Sequence, residues 1–549
     1  MTKRPHASIS ASHAEPLERQ ASYDGDGSAS HEDGDASSLK KARSFMATLV
    51  VGTPAKSPFA LPEVQGAMDL SFSQHRVALW PAVQQILPQV FISARKELPE
   101  DYIVDIENHR LPLPIDISHP YNTTPDSWLM SLPQSAVKGL ADAYFAVFHR
   151  NTPILDKYHF FSMLVLVVLA LGCLAVKAHE EGDFSLPSRH SATGRGFVTP
   201  DWYRLIVDEP PGLKFFNEAR KRFGFLMCQT DLQAGQFYML STLYYAQILR
   251  PLDSWTTVNR AALCCASVLK RTSTIDYETW EGDMLSRLFW CTLMYETVIT
   301  QELDLLPHSG LLDYESDIPL PKFTQCPRPK TLISGLLSDE DDSLFNFHFL
   351  AQAAHRIILT RVKQSLYTFA EKEGYPSASL TAEMHHQLEQ WRENLPPTLQ
   401  FSDGDDASDS ASPAHVIAKN MLRSRYLVAK LHIGRPFLYK ALHAPAYTNE
   451  AEYDEVRKGL RGGMYWPTTM GLCTQMLTAL PIKFGWCCQC FGQVLLFHAV
   501  ALSPDAKLRD TLPEGWREWV GIMMELIQSC AKSSPGIAKD YELLRLLDG

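Results

Sequence analysis

Apolar residues recur along most of this chain every three or four positions, the spacing that lines one face of a helix. Val137 to Phe148 places Leu140, Tyr144 and Phe148 on one face. Phe215, Phe216, Ala219, Phe223 and Leu226 repeat the pattern, with Lys and Arg between them. Leu240, Leu243, Tyr244 and Ile248 form a third stripe. Thr230-x-x-Gln233 ahead of it predicts a capping box, in which two side chains satisfy each other's unpaired amides. Further helices are predicted after Trp255, over Leu285 to Val298, over Leu344 to Thr368 and over Met384 to Leu395. Another follows Ile417, Met421, Val428 and Leu431 and ends at Arg435-Pro436-Phe437-Leu438. Two or three more lie between 465 and 549. No segment is strand-rich and no fixed-period repeat is visible, so the pattern predicts an all-α fold, a large multi-helix domain.

Breakers interrupt this pattern at defined places. Leu79 to Ile92 is helical in spacing but broken by Pro88, and prolines are frequent from Leu111 to Pro133. The central stretch from Leu285 to Phe323 changes character halfway. Its helix cannot continue through Pro307, Ser309-Gly310, Pro319 and Pro321, because proline lacks an amide hydrogen and glycine releases the backbone. Leu305 to Pro321, rigid at its prolines and flexible at Ser309-Gly310, is a candidate switching or contact surface, or else a lid over the core. Residues 1–60 are rich in Ser, Ala, Gly, Asp, Glu and His and cannot offset the entropy of ordering, so they read as a disordered tail. Residues 61–135 form an irregular, Pro-rich approach. Residues 136–440 are the main domain, with flexible insertions near 179–200, 338–343 and 401–413. Residues 441–549 are a helical extension packed on it.

Composition narrows the function. Of the 549 residues, 45% are hydrophobic, enough for a large core. The formal net charge of -11 argues against a whole-surface nucleic-acid binder, though not against a small basic module. The 11 cysteines all lie at or after Cys173, and the first forty residues hold no apolar leader segment, so free thiols in a reducing compartment are expected. Phe160 to Val176 carries no charge over 17 residues, the short limit for a membrane span. It lacks a flanking basic cluster and aromatic anchors, so it reads as a buried helix and no membrane partner is expected.

Enzyme signatures are absent from this reading. Gly459-Leu460-Arg461-Gly462-Gly463 lacks the spacing of a phosphate loop, and no Gly-x-Ser-x-Gly or His-Glu-x-x-His occurs. Cys487-Cys488-x-Cys490 cannot easily share one tetrahedral ion, because adjacent helical residues point about 100° apart. These cysteines, like Cys264-Cys265, read as small core hydrophobes. His385-His386 reads as a solvated pair. No catalytic, cofactor-binding or metal-ligating set is assigned.

Several motifs resemble the fungal-specific transcription factor domain, the middle homology region found downstream of zinc binuclear cluster DNA-binding domains. They are Arg287-Leu288-Phe289-Trp290, Leu306-Pro307-x-Ser309-Gly310, Asp317-Ile318-Pro319-Leu320-Pro321, Trp391-x-x-x-Leu395-Pro396 and Arg435-Pro436. The resemblance covers roughly residues 136–440. The Gly-Leu-His-Arg usual in the family is replaced by Leu269-Lys270-Arg271. The resemblance implies a nuclear regulator of RNA polymerase II genes. Its structural or regulatory residues would be Arg287, Phe289, Trp290, Pro307, Gly310, Pro319, Pro321, Trp391, Pro396, Arg435 and Pro436. Lys40, Lys41 and Arg43 are a candidate import signal. The family's six-cysteine zinc module cannot be built from a stretch without cysteine, so zinc would enter only with an upstream cluster. A lost upstream exon, action through a partner, and a domain kept for another purpose all remain open. DNA would then be reached through a missing module or a partner, as a homo- or heterodimer with zinc-cluster factors. A small-molecule effector between the helices is a further expected partner. The alternative is a co-regulator without DNA binding that pairs with a full-length relative.

Overall fold

The computed structural model describes residues 44, 70–90, 102–115, 127–156, 162–187, 196–272, 274–303, 306–326, 342–367, 374–402, 412–469 and 471–547. The expected tail over 1–60, with Lys40, Lys41 and Arg43, lies outside them apart from Ser44. So do most of the insertions at 338–343 and 401–413 and the middle of 179–200.

The described elements are helices, and no strand occurs among them. The longer ones are α1 (Tyr102–Asn108), α2 (Gln134–Tyr144), α3 (Ser162–Glu181), α4 (Leu213–Arg220), α5 (Leu232–Gln247), α6 (Pro251–Arg271) and α7 (Trp280–Glu302). There follow α8 (Ser343–Val362), α9 (Ala378–Glu393), α10 (Pro413–His443), α11 (Glu450–Thr469), α12 (Lys483–Ala501), α13 (Trp516–Ala531) and α14 (Pro535–Arg545). α3 packs on α2, α4 and α5; α6 sits between α5 and α7; α10 packs against α8, α9 and α11; and α12 packs on α13 and α14. A small apolar cluster joins Phe345 of α8 to Ala414 and Ala418 of α10, and one large apolar cluster runs from Leu70 to Leu544. The uncharged run of α3 is buried within it, which is why no polar face was needed there. Among the described residues, α12 is the one helix long and apolar enough to cross a membrane, and 89% of its apolar window is inside the protein.

Several local expectations shift. The helix expected from a Thr230–Gln233 capping box starts at Leu232 instead, capped by Asp231, whose carboxylate accepts the Ala234 amide at 2.8 Å. A carboxylate is the stronger acceptor at a helix N-terminus, and Thr230 Oγ1 instead accepts from Ser267 at 3.0 Å. The helix expected over Leu79 to Ile92 is split earlier, with Pro81 opening the turn Pro81–Ile86. Residues 70–90 are deeply packed, with Trp80, Val83 and Leu87 fully buried. The glycines of Gly459-Leu460-Arg461-Gly462-Gly463 bring two helices together. A Cβ at Gly434 of α10 would sit 2.7 Å from the Glu455 carbonyl and 3.0 Å from Gly459 Cα of α11.

The largest difference is at Pro436. α10 does not end there but runs on to His443. A proline inside a helix leaves the carbonyl four residues back without its amide donor. That carbonyl belongs to His432, and the Tyr367 hydroxyl donates to it at 2.9 Å. Tyr367 closes a one-turn π-helix, Lys363–Tyr367, that continues α8. A side chain from another element thus replaces the lost bond and lets the helix continue.

The buried histidines of the described residues include His179, His348, His355 and His432. Burial holds His179 down to about 4 and His348 and His355 down to about 3, with Arg425 adding to the effect on the last two. Burial, then Arg435, holds His432 well below its usual value. The folded state therefore keeps these rings neutral, whereas the unfolded chain protonates them below about pH 6.5. Their contribution is complete above that value and is lost as pH falls toward the folded values, by up to about 1.4 kcal/mol per ring per pH unit. Urea unfolding should give a clearly lower midpoint near pH 5 than near pH 7.5; coincident midpoints would contradict these assignments.

Candidate functional site

α7 starts at Thr279, whose hydroxyl accepts the Gly282 amide at 3.2 Å. Asp283, Ser286, Arg287 and Trp290 then fall at the three- and four-residue spacing of one helical face. That face holds the chain as it returns. The Trp290 indole and the Ser286 hydroxyl both donate to the Pro319 carbonyl, at 3.0 and 2.6 Å. Asp283 accepts the backbone amides of Lys322, Phe323 and Thr324 at 2.6, 3.2 and 2.8 Å. It also accepts two bonds from Arg287, at 2.9 and 2.6 Å. Arg287 reaches across to the Thr324 carbonyl at 2.8 Å and lies 5.1 Å over the Phe323 ring. Asp283 is 1% exposed and Arg287 8%, so this is a buried pair with its hydrogen-bonding capacity well used. Burial lowers the Arg287 guanidinium, and Asp283 acts against that.

The prolines fit this arrangement. Pro319 and Pro321 offer carbonyls but no amides, so donors must come from the helix. Three consecutive amides then follow at 322–324, and a carboxylate receives them. Nearer the first turn, Ser309 donates to Glu296 through its amide and its hydroxyl, at 2.5 and 2.8 Å. The Trp255 indole donates to the Pro307 carbonyl at 3.3 Å, and Arg356 pairs with Glu315. Gly310 sits at φ +79° at an exposed corner, the left-handed conformation glycine tolerates. Residues 306–326 thus form a strap tied to α7 at both ends; Leu305 lies outside the described residues.

The other motif residues lie elsewhere. Phe289 is buried on α7. The Trp391 indole donates to the Ala351 carbonyl at 3.0 Å, and Pro396 is a buried turn residue whose carbonyl accepts two amides. Arg435 is fully buried, donating to the Phe72 and Ser73 carbonyls at 3.2 and 2.8 Å, with its guanidinium 5.3 Å over the Trp80 ring. Glu302, at the far end of α7, acts on Arg435 electrostatically. Asp283 and Glu302 are about 28 Å apart along the helix axis. The motifs therefore do not converge on one site. Two polar nodes, one around Asp283 and Arg287 and one around Glu302 and Arg435, lie at opposite ends of α7, with Trp391 and Pro396 bonded elsewhere.

Two spaces lie between helices. A cleft of about 630 Å³ opens between α9, α10 and α11, with His385 and Glu455 paired across it at 2.7 Å. His385 is thus a half-buried partner rather than a solvated group; His386 is exposed. An inner cavity of about 40 Å³ is lined by Met294, Tyr295, His348, Gln352, Met421 and Arg425, among others. Arg425 donates to Gln352 at 3.1 Å, and no carboxylate among the described residues pairs with it. Its Nε has no protein partner. Burial holds its guanidinium down to about 10, with Tyr295 acting against the shift. Sequence reasoning passed over Arg425. The signal was there: it falls on the apolar stripe of Ile417, Met421 and Val428.

Residues 141–393 match the family model of the fungal specific transcription factor domain. The match takes in the strap and Trp391 but stops short of Pro396, Arg435 and Pro436. No curated protein and no solved structure matches the chain. The cysteines do not fit the zinc cluster that accompanies this domain in the resemblance. None precedes Cys173, and Cys264, Cys265, Cys487, Cys488 and Cys490 are buried on separate helices of the core.

Asp283→Ala should free three strap amides and leave Arg287 buried without its counter-charge, costing about 3–5 kcal/mol. The amides of 322–324 should then exchange hydrogen markedly faster, a change that a strap held mainly by apolar contact would not show. Trp290→Ala should cost about 3–5 kcal/mol in urea unfolding, through the cavity and the lost bond to Pro319. An unfolding midpoint equal to that of the native chain would overturn the assignment of Trp290 as an anchor.

Proposed function

We propose that this chain is a nuclear regulator of RNA polymerase II genes in fungi, acting without catalysis. Its helical domain would set the transcriptional output by taking up a small carboxylate-bearing effector at Arg425, where the cavity of about 40 Å³ would widen between α7, α8 and α10 to admit it. The match over residues 141–393 supports the regulatory class. The observation that carries the effector reading is Arg425, a guanidinium held against a cavity with no carboxylate from the described residues beside it. Guanidinium groups bind carboxylates through paired, charge-assisted bonds. Tyr295 and Gln352 add polar groups that would orient the ligand, and Met294 and Met421 provide adaptable apolar walls. Helices α7, α8 and α10 all line the cavity, so an occupant would bias their packing together.

With a net charge of -11 and no cysteine before Cys173, the chain reaches DNA through a zinc-cluster partner or a module beyond these residues. The same observation favours a second reading, a co-regulator that pairs with a full-length zinc-cluster factor and never touches DNA.

Fused to a heterologous DNA-binding domain in a fungal reporter strain, the chain should change transcription. Arg425→Met keeps an unbranched, flexible side chain but removes the charge, and should alter that output while leaving the thermal unfolding midpoint close to native. An Arg425→Met fusion with native output across carbon and nitrogen sources would sink the effector reading. A native fusion with no effect on transcription would sink the regulatory one.

A further inference from the structure

The far end of α7 brings together three residues from distant parts of the chain. His75 opens the short turn His75–Leu79, Glu302 closes α7, and Cys488 lies in the first half of α12. One nitrogen, one carboxylate oxygen and one sulfur from these residues all lie within 4.8 Å of one another. Glu302 and Cys488 are buried, and the His75 side chain is only 10% exposed. We propose that His75, Glu302 and Cys488 form a binding site for a single divalent transition-metal ion, zinc by the donor set.

The surroundings are those of a metal site. His75 Nε2 bonds the Asp540 carboxylate at 3.0 Å, and Asp540 is itself held by the Tyr102 hydroxyl at 2.5 Å. A carboxylate on the second ring nitrogen is the usual device for fixing a histidine ligand. Glu302 is oriented in the same way. Its Oε1 accepts from Gln301 and Gln489 at 3.1 and 3.0 Å, and its Oε2 accepts the Gln74 amide at 3.3 Å. A carboxylate offers about four lone pairs, so one on Oε2 remains. Nitrogen, oxygen and sulfur together suit zinc rather than calcium or magnesium, which take oxygen alone.

Charge balances in the same reading. Glu302 and Asp540 are two buried carboxylates, and Arg435 is a buried guanidinium on which Glu302 acts. Metal binding would release the Cys488 proton to solvent and add a third negative group. A divalent ion together with Arg435 balances all three, leaving no uncompensated buried charge. The competing arrangement is metal-free, with a protonated His75 supplying the second positive charge. The metal would tie residues 70–90 to α7, α12 and α14. The site is distinct from the Arg425 cavity and does not depend on the effector reading.

The test uses the full chain, stripped with a chelator and titrated with zinc by calorimetry and with cobalt by absorption. We expect one equivalent, with a near-ultraviolet thiolate-to-cobalt band. Cys488→Ser should remove that band and Cys487→Ser should keep it. Asp540→Asn should weaken zinc about 10–100-fold. Absence of saturable binding, or a band that persists in Cys488→Ser, overturns the proposal. If Cys488→Ser does not fold, the native chain decides. Its melting temperature should rise with free zinc and not with magnesium, and no rise with zinc overturns the site.

Discussion

A helix buried along most of its length cannot leave its polar side chains without partners. α7 is such a helix, and it carries Asp283, Ser286, Arg287, Glu296 and Glu302 into the interior. Each must be answered by another group, on the same helix or elsewhere in the chain. Asp283 is answered by three strap amides and a guanidinium, Glu296 by Ser309, and Glu302 by Gln74, Gln301 and Gln489. Those demands decide where the strap lies and where residues 70–90 dock.

The same logic explains why prolines are useful here. Pro319 and Pro321 present no amides beside the Ser286 and Trp290 donors of α7, while Pro307 and Pro319 contribute carbonyls to Trp255 and to Trp290 with Ser286. Pro436 withholds an amide inside α10, and the Tyr367 hydroxyl takes its place. At Pro436 the missing donor thus gives rise to a specific cross-element bond. Such bonds fix geometry more sharply than apolar contact, since an unanswered carbonyl in the core costs about 1–3 kcal/mol.

Both proposed sites draw on polar groups that packing gathers in this frame. Arg425 points a charge at a cavity without a carboxylate, and His75, Glu302 and Cys488 offer three donors at one point. Both sites sit between helices that packing has already fixed, so occupancy would be felt through α7, α10 or α12 rather than through a loop.

The helical class, the main helices and the break after α7 followed from the sequence, because apolar spacing and proline chemistry act over a few residues. The motif residues could be named for the same reason: Arg287, Trp290, Pro319 and Trp391 sit in short local patterns. Their partners could not be named. Nothing near Asp283 indicates that it binds the amides of 322–324, and Asp283 itself was missed because an acidic residue in a first turn is ordinary. The capping position moved from Thr230 to Asp231 because two acceptors competed over one residue of register. The extension of α10 through Pro436 depended on Tyr367, an element away. His75, Glu302 and Cys488 meet only because three distant segments pack on one another. Local spacing therefore determined which segments are helices and which faces are apolar. Only the tertiary structure decided which buried charges and carbonyls answer one another, because those partnerships are set by long-range packing that leaves no trace in spacing.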